Sequence, residues 1–211
     1  MEKLFKTQLE YRLFYCIVAE RLGTKEADRF MEATYRAGPS RRRGPFVSTR
    51  YWAEHGMLLD KLRENGLKYP KDFVEVFSAA AFLRTPEKDH ELNLRTCTLR
   101  HLEMIRGLKP KVARHFLNWT RLDENFVVLD HALLSWLWML GQKPGIWKQW
   151  ARYAKLERMF LAEANCRCRP VRNLGLEVRE AFKVRKWEGI IQTGPEQWPE
   201  HLQPIVHCSG V

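Results

Sequence analysis

The sequence has no run of roughly 18 apolar residues, the length a membrane-spanning helix needs, so it offers no membrane span. Its opening stretch, MEKLFKTQLEYR, is charged throughout and carries no signal-peptide pattern. Cysteine is scarce and odd in number: Cys16, Cys97, Cys166, Cys168 and Cys208. Scattered thiols without a secretion signal argue against a disulfide framework and for a reducing compartment. The expected location is therefore cytoplasmic (nucleoid-associated) or nuclear, not secreted. An iron–sulfur cluster needs four clustered thiolates, which the chain lacks. Cys166, Cys168, His207 and Cys208 match no common zinc spacing. No metal and no cofactor are expected. Internal repeats and low-complexity tracts are missing, and no stretch beyond FVVL (126–129) reads as a strand.

What the chain does have is apolar bulk and positive charge. Its 211 residues are 45% hydrophobic and include eight Trp and eleven Phe, enough for one large domain or two small lobes with a real core. Lys and Arg number 36 against 25 Asp and Glu, a formal charge of +11. That balance favours a polyanionic partner.

In chain order, residues 4–22 read as an amphipathic helix with Leu9, Leu13, Phe14, Ile17 and Val18 on one side. Gly23 stops it, and Thr24 is placed to cap a helix over 25–36. GPSRRRGPF (38–46) reads as a loop with breakers at both ends. Its Arg41, Arg42 and Arg43 suit phosphate contacts or, equally, a solvated loop. Helices are expected over 49–64, ended by Asn65-Gly66, and over 71–84, packed through Phe73, Val76, Phe77 and Phe82. Thr85-Pro86 suits a cap followed by an N1 proline, so a short helix is expected to begin there. Further on, residues 131–140 are almost wholly apolar, the pattern of a buried helix. GQKPG (141–145) is a turn, 146–164 a helix, CRCRP a break, and 173–187 a last helix with Leu176, Val178, Phe182 and Val184. The tail, 189–211, has no clear period and is expected to wrap the surface. The fold class this predicts is all-α.

The organising stretch is Thr98–Trp138. Leu99, Leu102 and Ile105 mark one helix's apolar face, Gly107 ends that helix, and Pro110 starts another with Val112, Phe116 and Trp119 on its face. Two short helices around a tight Gly-containing turn make a helix-hairpin-helix, over 98–120. Lys111 falls in the first turn of the second helix, and Asp130, 19 residues on, opens the apolar helix that follows.

IRGLKPKVARHFLNW resembles the helix-hairpin-helix of DNA glycosylases, and FVVLDHALLSWL resembles the segment that carries their catalytic aspartate. The nearest likeness is to the small archaeal-type 8-oxoguanine DNA glycosylase/lyases, a compact all-helical group. The resemblance is strong over about 40 residues. It implies a two-lobed helical bundle with the active site between the lobes. It also implies a bifunctional N-glycosylase/AP lyase that repairs double-stranded DNA carrying a damaged or modified base, most nearly 8-oxoguanine, and works as a monomer. Lys111 would be the nucleophile, Asp130 its catalytic partner, and Arg106, Gly107 and Lys109 DNA contacts; Arg41–Arg43 join them on the charge of their loop alone. The chain departs from the pattern where the second hairpin glycine is replaced by Lys109. Were that position to need positive φ, a lysine there would be strained. The histidine usual two positions after the aspartate is also absent: His131 is adjacent and Ala132 holds that place.

The chemistry needs these groups. Positive charge develops at C1′ when an N-glycosidic bond breaks, and a carboxylate there stabilises it. An amine that attacks C1′ gives a Schiff base, and β-elimination then nicks the strand. The amine must be neutral, which burial, Lys109 and the positive helix end all favour. A flipped base would need a stacking pocket, for which Phe14, Tyr15, Trp52 and Trp136 are candidates, though each also lies in an apolar helical stripe. Two other readings stay open: a glycosylase-fold enzyme acting on other modified bases, as in phage base hypermodification, and a non-catalytic helix-hairpin-helix DNA-binding module.

Overall fold

The computed structural model describes residues 6–36, 44–85, 90–121, 124–140, 150–183 and 202–203. The chain divides into two compact units, Met1–Arg121 and Leu122–Val211. Arg41–Arg43, Trp147, Val184, His207 and Cys208 lie outside the described residues.

The first unit is built around α1 (Lys6–Leu22), whose Leu9, Leu13, Phe14, Ile17 and Val18 are all buried. Gly23 at φ 87° turns the chain into α2 (Thr24–Met31), which continues as a π-helical turn, Glu32–Arg36. Thr24 lies inside α2 rather than capping it; Gly23 holds the cap position with no side-chain bond. Gly44-Pro45-Phe46, expected in a loop, forms the first turn of α3 (Gly44–Glu54). The buried Glu10 carboxylate accepts from Phe46 N–H at 3.1 Å and so serves an α3 amide from another helix. The helix expected over 49–64 is two: Gly56 at φ 67° breaks it before α4 (Leu58–Glu64). Next come α5 (Lys71–Phe82), α6 (Leu99–Glu103) and α7 (Pro110–Thr120). Helix α1 packs on α2, α3 and α7, with Phe14 stacked on Phe77 of α5 at 4.3 Å between centroids. Phe82 and Trp119, expected in the core, are exposed, because α5 and α7 turn Ala81 and Leu117 inward instead.

The short helix expected from Pro86 lies outside the described residues; Thr85 itself is in a strand. Arg84–Thr85 (β1) pairs antiparallel with His90–Glu91 (β2), a two-residue ladder that is the only strand pairing among the described residues. FVVL carries no strand assignment.

In the second unit α8 (His131–Met139), α9 (Trp150–Cys166) and α10 (Val171–Lys183) pack on one another. The core holds Leu133, Trp136, Leu137, Phe160, Leu174 and Val178. Leu176 is exposed, on the solvent side of α10. The tail does more than cover the surface: Leu202 is buried in this core and its carbonyl accepts from Trp136 Nε1–H at 3.0 Å. Arg167 braces the same place, over the Trp136 ring and donating to Gln203 O at 2.8 Å. Among the described residues the architecture is helical, and no helix is long and apolar enough to cross a membrane.

Candidate functional site

The site residues fall in both units, and each is built by its own. In the first, Thr98 caps α6 by a capping box in which His101 takes the usual Glu position: Thr98 Oγ1 accepts from His101 N–H, and Thr98 N–H donates to His101 Nδ1. The helix ends at Glu103, a turn earlier than the apolar spacing implies. Gly107 is thus not its C′ residue. It sits instead in the tight turn closed by Leu108 N–H to Ile105 O at 3.0 Å, at φ 80°. A Cβ there would lie 3.2 Å from Val76 Cβ, so both backbone conformation and close approach ask for glycine. Ile105 and Leu108 bury themselves on either side. Arg114, almost fully buried, ties α7 to α6 through Glu103 at 3.3 Å, a brace with no local sequence signal.

Lys109 stands at the α7 N-cap with φ −79° and ψ 151°, ordinary extended backbone. The lysine in place of glycine is therefore unstrained. Pro110 occupies the first turn, as expected. Arg106 is exposed and ion-paired with Glu75 of α5. Lys111 is about a third exposed, and its Nζ lies 2.8 Å from Glu20 Oε2. The neutral amine expected from burial and neighbouring charge is thus offset by a carboxylate that pairs with the ammonium. Glu20 lines a small open cleft of about 40 Å³ with Ile17, Val76, Gly107, Leu108 and Lys109. The Arg21–Asp72 pair, 2.5 Å apart, closes one side of it.

In the second unit Asp130 caps α8, its Oδ1 accepting from Leu133 N–H at 3.1 Å. Its Oδ2 is held by Arg179 Nε of α10 at 2.5 Å, and Arg179 also donates to Val128 O at 2.9 Å. Gly175 lies one helical turn before Arg179, and a Cβ there would be in ordinary contact with that guanidinium at 3.4 Å. Sequence reasoning found the cap but not Arg179.

Of the aromatic candidates, Phe14 and Trp136 are fully buried core. Trp52 packs near Tyr35, whose phenol is pushed up by burial. Tyr15, pushed up to about 12 by burial and by Asp28, meets Trp119 edge-on. His115 stacks on the same Trp119 ring. Cys16 and Cys97 are buried and Cys166 and Cys168 exposed, and none of the four is in a disulfide. Among the described residues no cluster of His, Cys, Asp or Glu could hold a metal ion.

No protein-family model, no curated protein and no solved structure matches the chain.

Proposed function

We propose that the chain is a helix-hairpin-helix DNA glycosylase with AP-lyase activity, of the kind found in the small archaeal-type 8-oxoguanine group. It would excise an oxidised purine from double-stranded DNA through a Schiff base on Lys111. The observation that carries the reading is the position of Lys111: a half-buried amine in the first turn of α7, directly after the Gly107 turn and held on a carboxylate. Binding alone does not need an amine held this way. Supporting it are the net charge of +11, the unstrained Lys109, and Asp130 fixed as the cap of the apolar α8.

In this reading Arg106, Gly107 and Lys109 meet the phosphates of the bound strand, helped by Arg41–Arg43. Lys111 attacks C1′ of the extruded nucleotide as the glycosidic bond breaks, and its electron pair leaves with the base. Asp130 stabilises the charge that develops on the sugar. The imine then acidifies C2′–H, and loss of the 3′ phosphate nicks the strand. The protein acts as a monomer, in the cytoplasm at the nucleoid or in a nucleus.

A panel of duplexes, each with one lesion and scored for released base and for nicking, tests this. Expected are release of an oxidised purine and a borohydride-trapped adduct on Lys111. Arg41, Arg42 and Arg43 changed together to Ala should weaken binding and flatten its salt slope by about one unit per lost phosphate contact. An unchanged slope would remove the loop from the interface.

One observation favours a second reading. Both oxygens of Asp130 are engaged, one by the helix amide and one by Arg179, as in a purely structural cap. A non-catalytic DNA-binding module would bind every duplex with a steep salt dependence and release nothing.

A further inference from the structure

Glu20 and Lys111 each stand at the helix end that disfavours their charge. Glu20 is in the last turn of α1 (Lys6–Leu22), where unpaired carbonyls give partial negative charge. Lys111 is in the first turn of α7, where unpaired amides give partial positive charge, with Lys109 one turn-step before it. The two are held there by each other, at 2.8 Å. The Glu20 side chain is only 18% exposed and lines the cleft beside the Gly107 turn. The other charges facing that cleft, Arg21 and Asp72, neutralise each other, leaving Lys109 as the remaining cation.

From this geometry we infer that Glu20 is a catalytic residue, the proton carrier for Lys111; the inference rests on the glycosylase/lyase reading. Glu20 takes a proton from the Lys111 ammonium, and the neutral amine forms a bond to C1′ as the base departs with the glycosidic electron pair. The Glu20 carboxylic acid protonates the departing base. Glu20 then takes a second proton from the new C1′-bound nitrogen and gives it to O4′ as the sugar ring opens. The products are a protonated imine on Lys111, the free base, and Glu20 as carboxylate again.

The test compares the full-length wild type with Glu20→Gln, Glu20→Asp and Glu20→Ala on a duplex holding one 8-oxoguanine and on one holding a preformed abasic site. Single-turnover base release, borohydride-trapped adduct, duplex affinity and melting temperature are read for each. Glu20→Gln should slow release about 10²–10⁴-fold, the usual worth of one proton-transfer group, with affinity and melting temperature kept. Glu20→Asp should recover part of the rate, and added formate should speed Glu20→Ala, which a merely structural brace would not allow. Wild-type rates in Glu20→Gln, or a Glu20→Ala variant that folds yet ignores formate, would overturn the inference while leaving the glycosylase reading intact. A wild type that releases no base from the 8-oxoguanine duplex and forms no trapped adduct with either duplex would overturn both.

Discussion

Helices α7 and α8 each have a charged residue singled out by the sequence at their N-terminal end, Lys111 in the first turn of α7 and Asp130 at the cap of α8, and the two charges are opposite. Asp130 is where stability alone would put a carboxylate: it caps α8, faces the positive end of the helix dipole, and is paired with Arg179. Such a cap contributes about 0.5–2 kcal/mol. Lys111 is where stability would not put an ammonium. It opposes the dipole of α7 by roughly 0.3–1 kcal/mol and needs Glu20, itself misplaced at the end of α1, to hold it. The fold accounts for Asp130 without any chemistry; it does not account for Lys111. The second unit therefore says less about function than the first.

The largest effects that would sharpen this contrast are on activity. Lys111→Gln should abolish the borohydride adduct and base release while duplex binding persists. Asp130→Asn should slow release by orders of magnitude with α8 still capped, since Asn caps as well as Asp. Equal turnover in Asp130→Asn and wild type would leave Asp130 a cap and nothing more.

Next comes the core that holds α8. Trp136→Ala should cost about 3–5 kcal/mol, and the lost bond to Leu202 adds to it. Hydrogen exchange would show protection falling across 131–183 first. Smaller is Gly107→Ala: a left-handed alanine costs roughly 1–2 kcal/mol, and here the Val76 contact adds to it. Gly66→Ala, at φ 76° with open space around it, isolates the backbone part. Denaturant midpoints that match in the two variants would show the Val76 contact to be harmless.

The smallest difference is the most direct test of the comparison. Asp130→Ala should destabilise by about 1–2 kcal/mol through the lost cap. Lys111→Gln should fall within roughly 0.5 kcal/mol of wild type, because one unfavourable helix end is relieved as a half-buried ion pair is lost and Gln can still donate to Glu20. If Lys111→Gln proves the more destabilising of the two, the Lys111–Glu20 pair is a structural staple and the contrast collapses.

Legibility followed the range of the interaction. The apolar faces of α1, α5, α7 and α8 repeat every three or four residues, so burial of Phe14, Phe77, Phe116 and Trp136 could be read directly. Gly56 was visible, but a glycine inside an apolar period reads equally well as tolerated helix, and only its φ of 67° makes it a break. The ladder at 84–85 and 90–91 was hidden because two residues per strand carry no periodicity. Phe82, Trp119 and Leu176 fit their periods and are still exposed, Trp119 even though Arg12 and Tyr15 of α1 meet its ring, because a helical period does not say how fully a neighbour covers each position.

The sequence by itself determined the helices, the turn at Gly107, the proline start of α7 and the cap at Asp130, since each depends on residues within a turn or two of one another. Only tertiary structure decided what the two singled-out charges touch. Glu20 reaches Lys111 from the far end of α1, and Arg179 reaches Asp130 from 49 residues downstream. Pairings of that range are set by how helices pack, and no local spacing encodes them.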